Sequence, residues 1–350
     1  MFAHFCLSLC FSGLLIAQGT TTALPCSADT TLYLDSFGDT ANGAGNSVFI
    51  GLNTTGVTRR MLVKFDIAAA VPANARIVTV QLNLNVAQAA TLPPLATTVH
   101  LVTAPWNEGT ANAGLFQGIG TTATAGDCTW LHRNWPTVFW ATPGGDFDPT
   151  PHGFTDLPQP GPTNFPVTGS MVADVQSWLN TPANNFGWLL KSNELTTREV
   201  RRLDSRESLT PANRPQLLVT YVLPGGWANA GPGCGSPVAP TLAGGGTFAT
   251  GFTATFTTQG PAFTPELTLF SFILQQPAAQ LFPGCSFHLP FGSITPGLRF
   301  LDGAGVAVEG LPIPASSSFI GLSLASQSAV LDSLQLLGFS LSNAVFALVQ

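Results

Sequence analysis

Apolar and polar residues alternate along residues 75–89, ARIVTVQLNLNVAQA. Val78, Val80, Leu82, Leu84 and Val86 form one set; Ile77, Thr79, Gln81, Asn83 and Asn85 form the other, mostly polar set. A period of two with one wet face predicts a strand of an antiparallel sheet. DTTLYLD (29–35), SVFIGL (47–52), RRMLVKFDI (59–67) and TTVHLVTAPW (97–106) read as strands too. So do Phe186–Leu190, Glu199–Arg206 and Gln216–Val222. One stretch departs from this period. Val172, Val175, Trp178 and Leu179 recur at helical spacing, which predicts a short helix capped by Thr168 or Ser170 and stopped by Pro182. Residues 107–164 show no period and are rich in Gly, Pro and aromatics. Long irregular stretches of this kind often carry function.

A Gly/Pro cluster at 224–240 marks a linker. Beyond it TFATGFTATFTT and ELTLFSFIL alternate again, and further short strands follow. The chain is therefore expected to be all-β with one short helix: a first domain over 24–223 and a second, smaller β-sandwich over 241–350. A length of 350 residues suits two domains, each burying its own core.

Charge changes this picture in one place. Charged residues make up only 9 % of the chain, against roughly 25 % in an average soluble domain. Yet Ser192–Val222 holds five of the twelve Lys and Arg residues (Arg198, Arg201, Arg202, Arg206, Arg214) and four acids (Glu194, Glu199, Asp204, Glu207). No basic stripe stands apart from matching acids, so nucleic acid is not an expected partner.

The first 22 residues are expected to be an export signal. Phe5–Ala17 is an apolar run with the length of a signal core, too short to span a bilayer, and cleavage is expected after Ala17 or Ala23. The protein is thus expected to be extracellular, possessing no membrane-spanning segment. Four cysteines remain beyond the signal: Cys26, Cys128, Cys234 and Cys285. An even number in an exported chain predicts two disulfides. Cys26–Cys128 with Cys234–Cys285 is the preferred pairing of three, because each bridge then stays within one domain.

The candidate chemistry is that of recognition. Arg206 presents a planar fork suited to a uronate or to sugar hydroxyls, with Glu207 beside it; the alternative is a cross-strand ion-pair network within 192–222. Trp130, Trp135 and Trp140 offer faces for sugar stacking, or else anchor the irregular stretch. Asp146 and Asp148 in GGDFD offer oxygens to a Ca2+ ion, or else stabilise a turn through Asx bonds. No other cofactor is expected. Hydrolase and metalloprotease motifs are missing: there is no GxSxG and no HExxH. Glu108, Asp146 and Asp148 supply the carboxylates that a glycosidase would need, but the reading favoured here is non-catalytic.

Seven blocks, in order, resemble the DNRLRE family, also described as a family 96 type carbohydrate-binding module. They are DTTLY (29–33), RRMLVKFDI (59–67), the alternating strand at 75–86, APWNEGT (104–110), W-ATPGGDFD (140–148), DVQSWL with NNFGWLL (174–190), and DSRES with NRPQLLVTY (204–221). The resemblance covers about residues 29–222. It implies a jelly-roll-like β-sandwich and binding of a polysaccharide or cell-surface glycan, or a purely adhesive surface role. GPGCGSP (231–237), LFPGCSFHL (281–289), LPIP (311–314) and LSNAVFALV (341–349) resemble a β-rich tail module of exported planctomycete-type proteins. The expected function is that of a secreted polysaccharide-binding or adhesion module. A structural envelope protein without a small ligand is the alternative, and a polysaccharide-degrading enzyme stands third.

Overall fold

The protein is described by a computed structural model covering residues 19–91, 93–235, 237–293 and 297–350. The expected export signal lies outside these residues as far as position 18. From Thr20 onward the chain is already a strand.

The fold is all-β. In the first half we name β1 (Thr20–Tyr33), β2 (Ser47–Leu52), β3 (Thr58–Phe65), β4 (Arg76–Ala89), β5 (Leu95–Leu101), β6 (Gly153–Leu157), β7 (Gly161–Phe165), helix α1 (Gly169–Asn180), β8 (Trp188–Ser192), β9 (Arg201–Asp204) and β10 (Gln216–Val222). All pairings are antiparallel. One layer runs from β7 through β4 to β10 and β9, which lie end to end along β4, and then to the first parts of β1 and β2. The other runs β6, β5, β8, β3 and the second part of β1. Two strands therefore serve both layers. β1 pairs with β10 over Thr20–Pro25 and with β3 from Cys26 onward, the register shifting at Cys26–Ala28. β2 pairs with β9 and then, at Gly51, with β3. Gly51 has φ +106°, a conformation that L side chains rarely adopt, and a Cβ there would press on the backbone of Glu199 and Val200. Cleavage after Ala17 would leave β1 whole; cleavage after Ala23 would remove residues that pair with β10.

The inward faces of these layers form one core. It includes Val48, Ile50, Met61, Val63, Phe65, Val80, Leu82, Leu84, Leu190, Leu217 and Val219. Helix α1 packs on it through Met171, Val175, Trp178 and Leu179. Thr168 is its N-cap: the hydroxyl oxygen accepts from the Met171 N–H at 3.1 Å. Asp174 also lies on the buried face. It accepts from the Trp188 indole N–H at 2.7 Å, and Nδ1 of His152 sits 2.7 Å from the same oxygen. One acid thereby ties the helix to β8 and to the loop before β6.

β4 follows the predicted alternation except at one point. A bulge opposite Thr220–Tyr221 shifts the register. Ile77 turns into the first core, whereas Val78 packs with Val222 against Ala228, Phe287 and Phe346 of the second half.

The second half holds a five-stranded sheet and a three-stranded sheet. The first runs Trp227–Ala230, Phe339–Leu348, Ser323–Leu331, Pro265–Ser271 and Leu298–Phe300; the second runs Thr241–Gly246, Thr253–Gln259 and Val306–Pro312. Trp227, Phe248, Phe256, Phe270, Val345 and Ala347 are buried between them. The stretch expected to be a linker is not one throughout. Trp227–Ala230 is an edge strand of the five-stranded sheet, paired with Ala344–Ala347. Cys234 is bonded to Cys285 of the hairpin Ala279–Phe287, which covers the other face of that sheet.

The second expected disulfide is absent. Cys26 and Cys128 are buried free thiols. Cys26 belongs to the sandwich core, whereas Cys128 packs with Leu32, Leu62, Trp106 and Trp140 in the cluster under the irregular stretch. Cys26 Sγ lies over Asp29 and the Ala28 carbonyl. The Cys26 thiol donates to the Ala28 carbonyl at 3.2 Å, whereas Cys128 fills its site as a small apolar group.

Candidate functional site

The charged segment finds its bidentate partners outside itself, at Arg206 with Glu108 and at Glu194 with Arg60. β9 ends at Asp204, and the chain turns through Ser205–Ser208. The buried Ser205 fixes this turn: its hydroxyl donates to the Gly45 carbonyl at 2.7 Å and accepts from the Glu207 N–H at 3.1 Å. Arg206 is thereby aimed at the loop after β5. Its Nε and Nη2 donate to the two carboxylate oxygens of Glu108, each at 2.6 Å, and Nε lies 2.9 Å from Glu207 Oε1. The Arg206 backbone N–H donates to Asp29 Oδ2 at 2.8 Å, and the Asp29 N–H donates to Glu108 at 2.7 Å. β1, the 104–110 loop and the turn after β9 thus converge on one cluster. Burial pushes the Asp29 carboxyl well above the usual range; the Arg206 N–H opposes this, and the nearby Glu207 and Glu108 reinforce it. Burial and then Glu108 also push Glu207 up. The Glu108 hydrogen bonds push the Arg206 guanidinium further up. The expected pairing within 192–222 is corrected at Arg206: its bidentate partner is 98 positions away in sequence.

Arg60 and Arg201 also reach distant loops. Arg60 forks onto Glu194 at 2.7 and 2.9 Å and donates to the Gly144 carbonyl. Arg201 is fully buried and donates to the carbonyls of Pro158, Glu199 and Pro93. Both hold loops to strands.

The tryptophans do not form a stacking platform. Trp130 and Trp140 are only 7 % and 5 % exposed. The Arg60 guanidinium sits 4.7 Å from the Trp130 ring centre, and the Trp140 indole N–H donates to the Thr129 carbonyl. Trp135, half-buried, packs on Ala41, Ala111 and Ala123. These rings anchor the irregular stretch. The same stretch is organised by Asp127, whose fully buried carboxylate accepts from the backbone of Thr110, Ala111 and Thr124. Asp146 and Asp148 are turn residues as well. Asp146 accepts from Ala141 N and Thr142 N, and Asp148 from Thr150 N. The Asp148 bond matches the Asx-turn alternative, whereas Asp146 closes a loop by holding N–H groups four and five positions before it.

A groove absent from the sequence-based candidates lies on the wet face of β4. It has a volume of about 550 Å³, and its lining includes Asn83, Asn85, Asn164, Asn213, Arg214 and Gln216. β4 supplies the first two, β7 the third, and the segment leading into β10 the rest. Asn85 donates to Asp204 at 2.7 Å, and Gln81 donates to Asn83 at 2.7 Å. Arg214 is exposed, and its Nε donates to the Ser208 carbonyl at 2.9 Å. Amides offer both donors and acceptors, the complement of a sugar hydroxyl. The signal for this site was present in the alternation of β4, where Gln81, Asn83 and Asn85 share the polar face.

No family model matches the chain, and no curated protein matches it. No helix among the described residues is long and apolar enough to cross a membrane.

Proposed function

We propose that this chain is an exported, non-catalytic polysaccharide-binding or surface-adhesion module, with a first domain of the DNRLRE type. The amide-lined groove on β4 is the observation that carries this reading. Its volume of about 550 Å³ falls in the range of ligand sites, roughly 300–1,000 Å³. Its polar lining suits a hydroxylated chain better than an apolar ligand. Asn83, Asn85 and Asn164 would exchange hydrogen bonds with sugar hydroxyls, and the exposed Arg214 guanidinium would favour an acidic residue such as a uronate. Arg206 and Glu207 lie in the turn that precedes Pro211–Asn213 and would position the groove rim. Binding by an open polar groove is expected to be weak per unit and to gain from several contacts along one polymer.

The test is a binding screen of neutral and acidic polysaccharides by affinity electrophoresis and calorimetry. The reading predicts retardation by at least one polymer, stronger for acidic than for neutral chains of the same backbone. No retardation across the panel would refute it.

A structural or adhesive envelope role has its own support. The second half exposes Phe263, Phe291, Phe300, Leu334 and Leu336, and exposed apolar side chains in such number favour attachment to another component. That role predicts retention in the envelope fraction whatever sugars are added.

A further inference from the structure

We propose that Asp29, Glu108 and Glu207 bind a divalent, oxygen-seeking cation of the Ca2+ class. Each of the three brings a carboxylate oxygen to within 4.8 Å of the others. They come from three separate parts of the chain: β1, the loop after β5 and the turn after β9. A cluster of acids alone would not point to a ligand. The second observation is the hydrogen-bond account of Asp29. This residue is 0 % exposed, and its Oδ1 has no hydrogen-bond partner. Its other oxygen accepts from the Arg206 N–H and lies 3.7 Å from the Cys26 thiol, and one oxygen of the carboxylate lies within 4.8 Å of the Glu108 and Glu207 carboxylates. Glu207 repeats the pattern. Its Oε1 meets Arg206, whereas its buried Oε2 has no partner. An ionised buried oxygen without a donor or counter-charge is destabilising.

Charge gives the same answer. Three carboxylates against one guanidinium leave an excess of two negative charges when all are ionised. A divalent ion balances that excess; a second hydrogen bond to a neutral donor would not. Hard cations such as Ca2+ take carboxylate oxygens at about 2.3–2.6 Å and complete their shells with water. Water can enter from the Arg206 side, where the side chain is 39 % exposed. Asp146 and Asp148 do not compete for this role, since their oxygens accept backbone N–H groups in their own turns. The bound ion would join β1 to both loops and hold the turn that leads into β10. This proposal does not depend on the polysaccharide reading.

The experiment uses the full chain after EDTA treatment and dialysis, titrated with CaCl2 by calorimetry and followed in parallel by its thermal midpoint. The expected result is one saturable site and a midpoint that rises with Ca2+. Glu207→Gln should weaken binding at least tenfold, and Asp29→Asn should abolish both the heat and the midpoint shift. If Asp29→Asn does not fold, Glu207→Gln decides, because Glu207 sits at the edge of the cluster. Absence of binding up to millimolar Ca2+, or binding of unchanged affinity in the Gln variant, would overturn the proposal.

Discussion

The two halves of this molecule solve the same problem, holding short strands in a charge-poor chain, by different means. The first half spends its few ions on position. Arg60, Arg201 and Arg206 each reach a distant loop, and Asp127 and Asp174 collect donors from separate segments. The second half has a single cation over 241–350, Arg299, which pairs with Glu309. Apart from Glu266 and Glu309, the described buried polar groups there are mostly uncharged hydroxyls and amides. Gln327 donates to the carbonyls of Ser286 and Ser342, and Thr258 meets Ser328 at 2.7 Å. A disulfide completes what ion pairs do in the first half. Charged anchors are long and specific, so they order irregular loops around a surface. A hydroxyl and amide network with one covalent link suits a compact support. The polar groove and the carboxylate cluster both belong to the half that has the anchors.

The largest effect that would break this contrast is expected from Trp188. It is fully buried, lies 4.8 Å from the Trp178 ring and donates to Asp174. Trp188→Ala should destabilise the first half by about 3–5 kcal/mol, read as a lowered first transition in differential scanning calorimetry. Next is the disulfide. Its loop spans 51 positions, and Cys234→Ser with Cys285→Ser should cost about 2–4 kcal/mol. Only the transition of the second half should move, and reductant should reproduce the effect. Cys26→Ser with Cys128→Ser should leave reductant sensitivity unchanged.

A smaller effect concerns pH. Burial raises the Glu266 carboxyl; the Thr268 hydroxyl and Arg299 oppose the shift. A raised acid binds more protons folded than unfolded. Its stabilising contribution is therefore full below the unfolded value and is lost as pH rises through the folded one. Urea midpoints of the second half should fall as pH rises above about 4.3, the ordinary glutamate value, and Glu266→Gln should flatten that slope.

Much of this architecture was legible in the sequence. The period of two in 75–89 and 216–222, the helix with its Thr168 cap and the second β unit all depend on local residues. The bulge at Ile77 was not, because a register shift is decided by the partner strand. The Gly/Pro density of 224–240 concealed a four-residue strand, too short for its alternation to show, that buries Trp227, Ala228 and Ala230. The site was less legible than the fold. Its partners are far apart in sequence: Arg206 with Glu108, and Asp29 with Arg206. Of the two readings of the tryptophans, sugar stacking or anchoring, Trp130 and Trp140 fit the second: the irregular stretch folds around them. Pairing Cys26 with Cys128 rested on their sharing one domain, whereas they lie in different clusters.

The central claim is that the wet face of β4 reads a polysaccharide. Its most direct test is calorimetry of the intact chain against Asn83→Ala with Asn85→Ala, using the polymer that retards it most strongly. Asn83 and Asn85 are partly exposed and lie outside the hydrophobic core, so the thermal midpoint should hardly change. Affinity should fall at least tenfold. Unchanged affinity in a folded double variant would contradict the account.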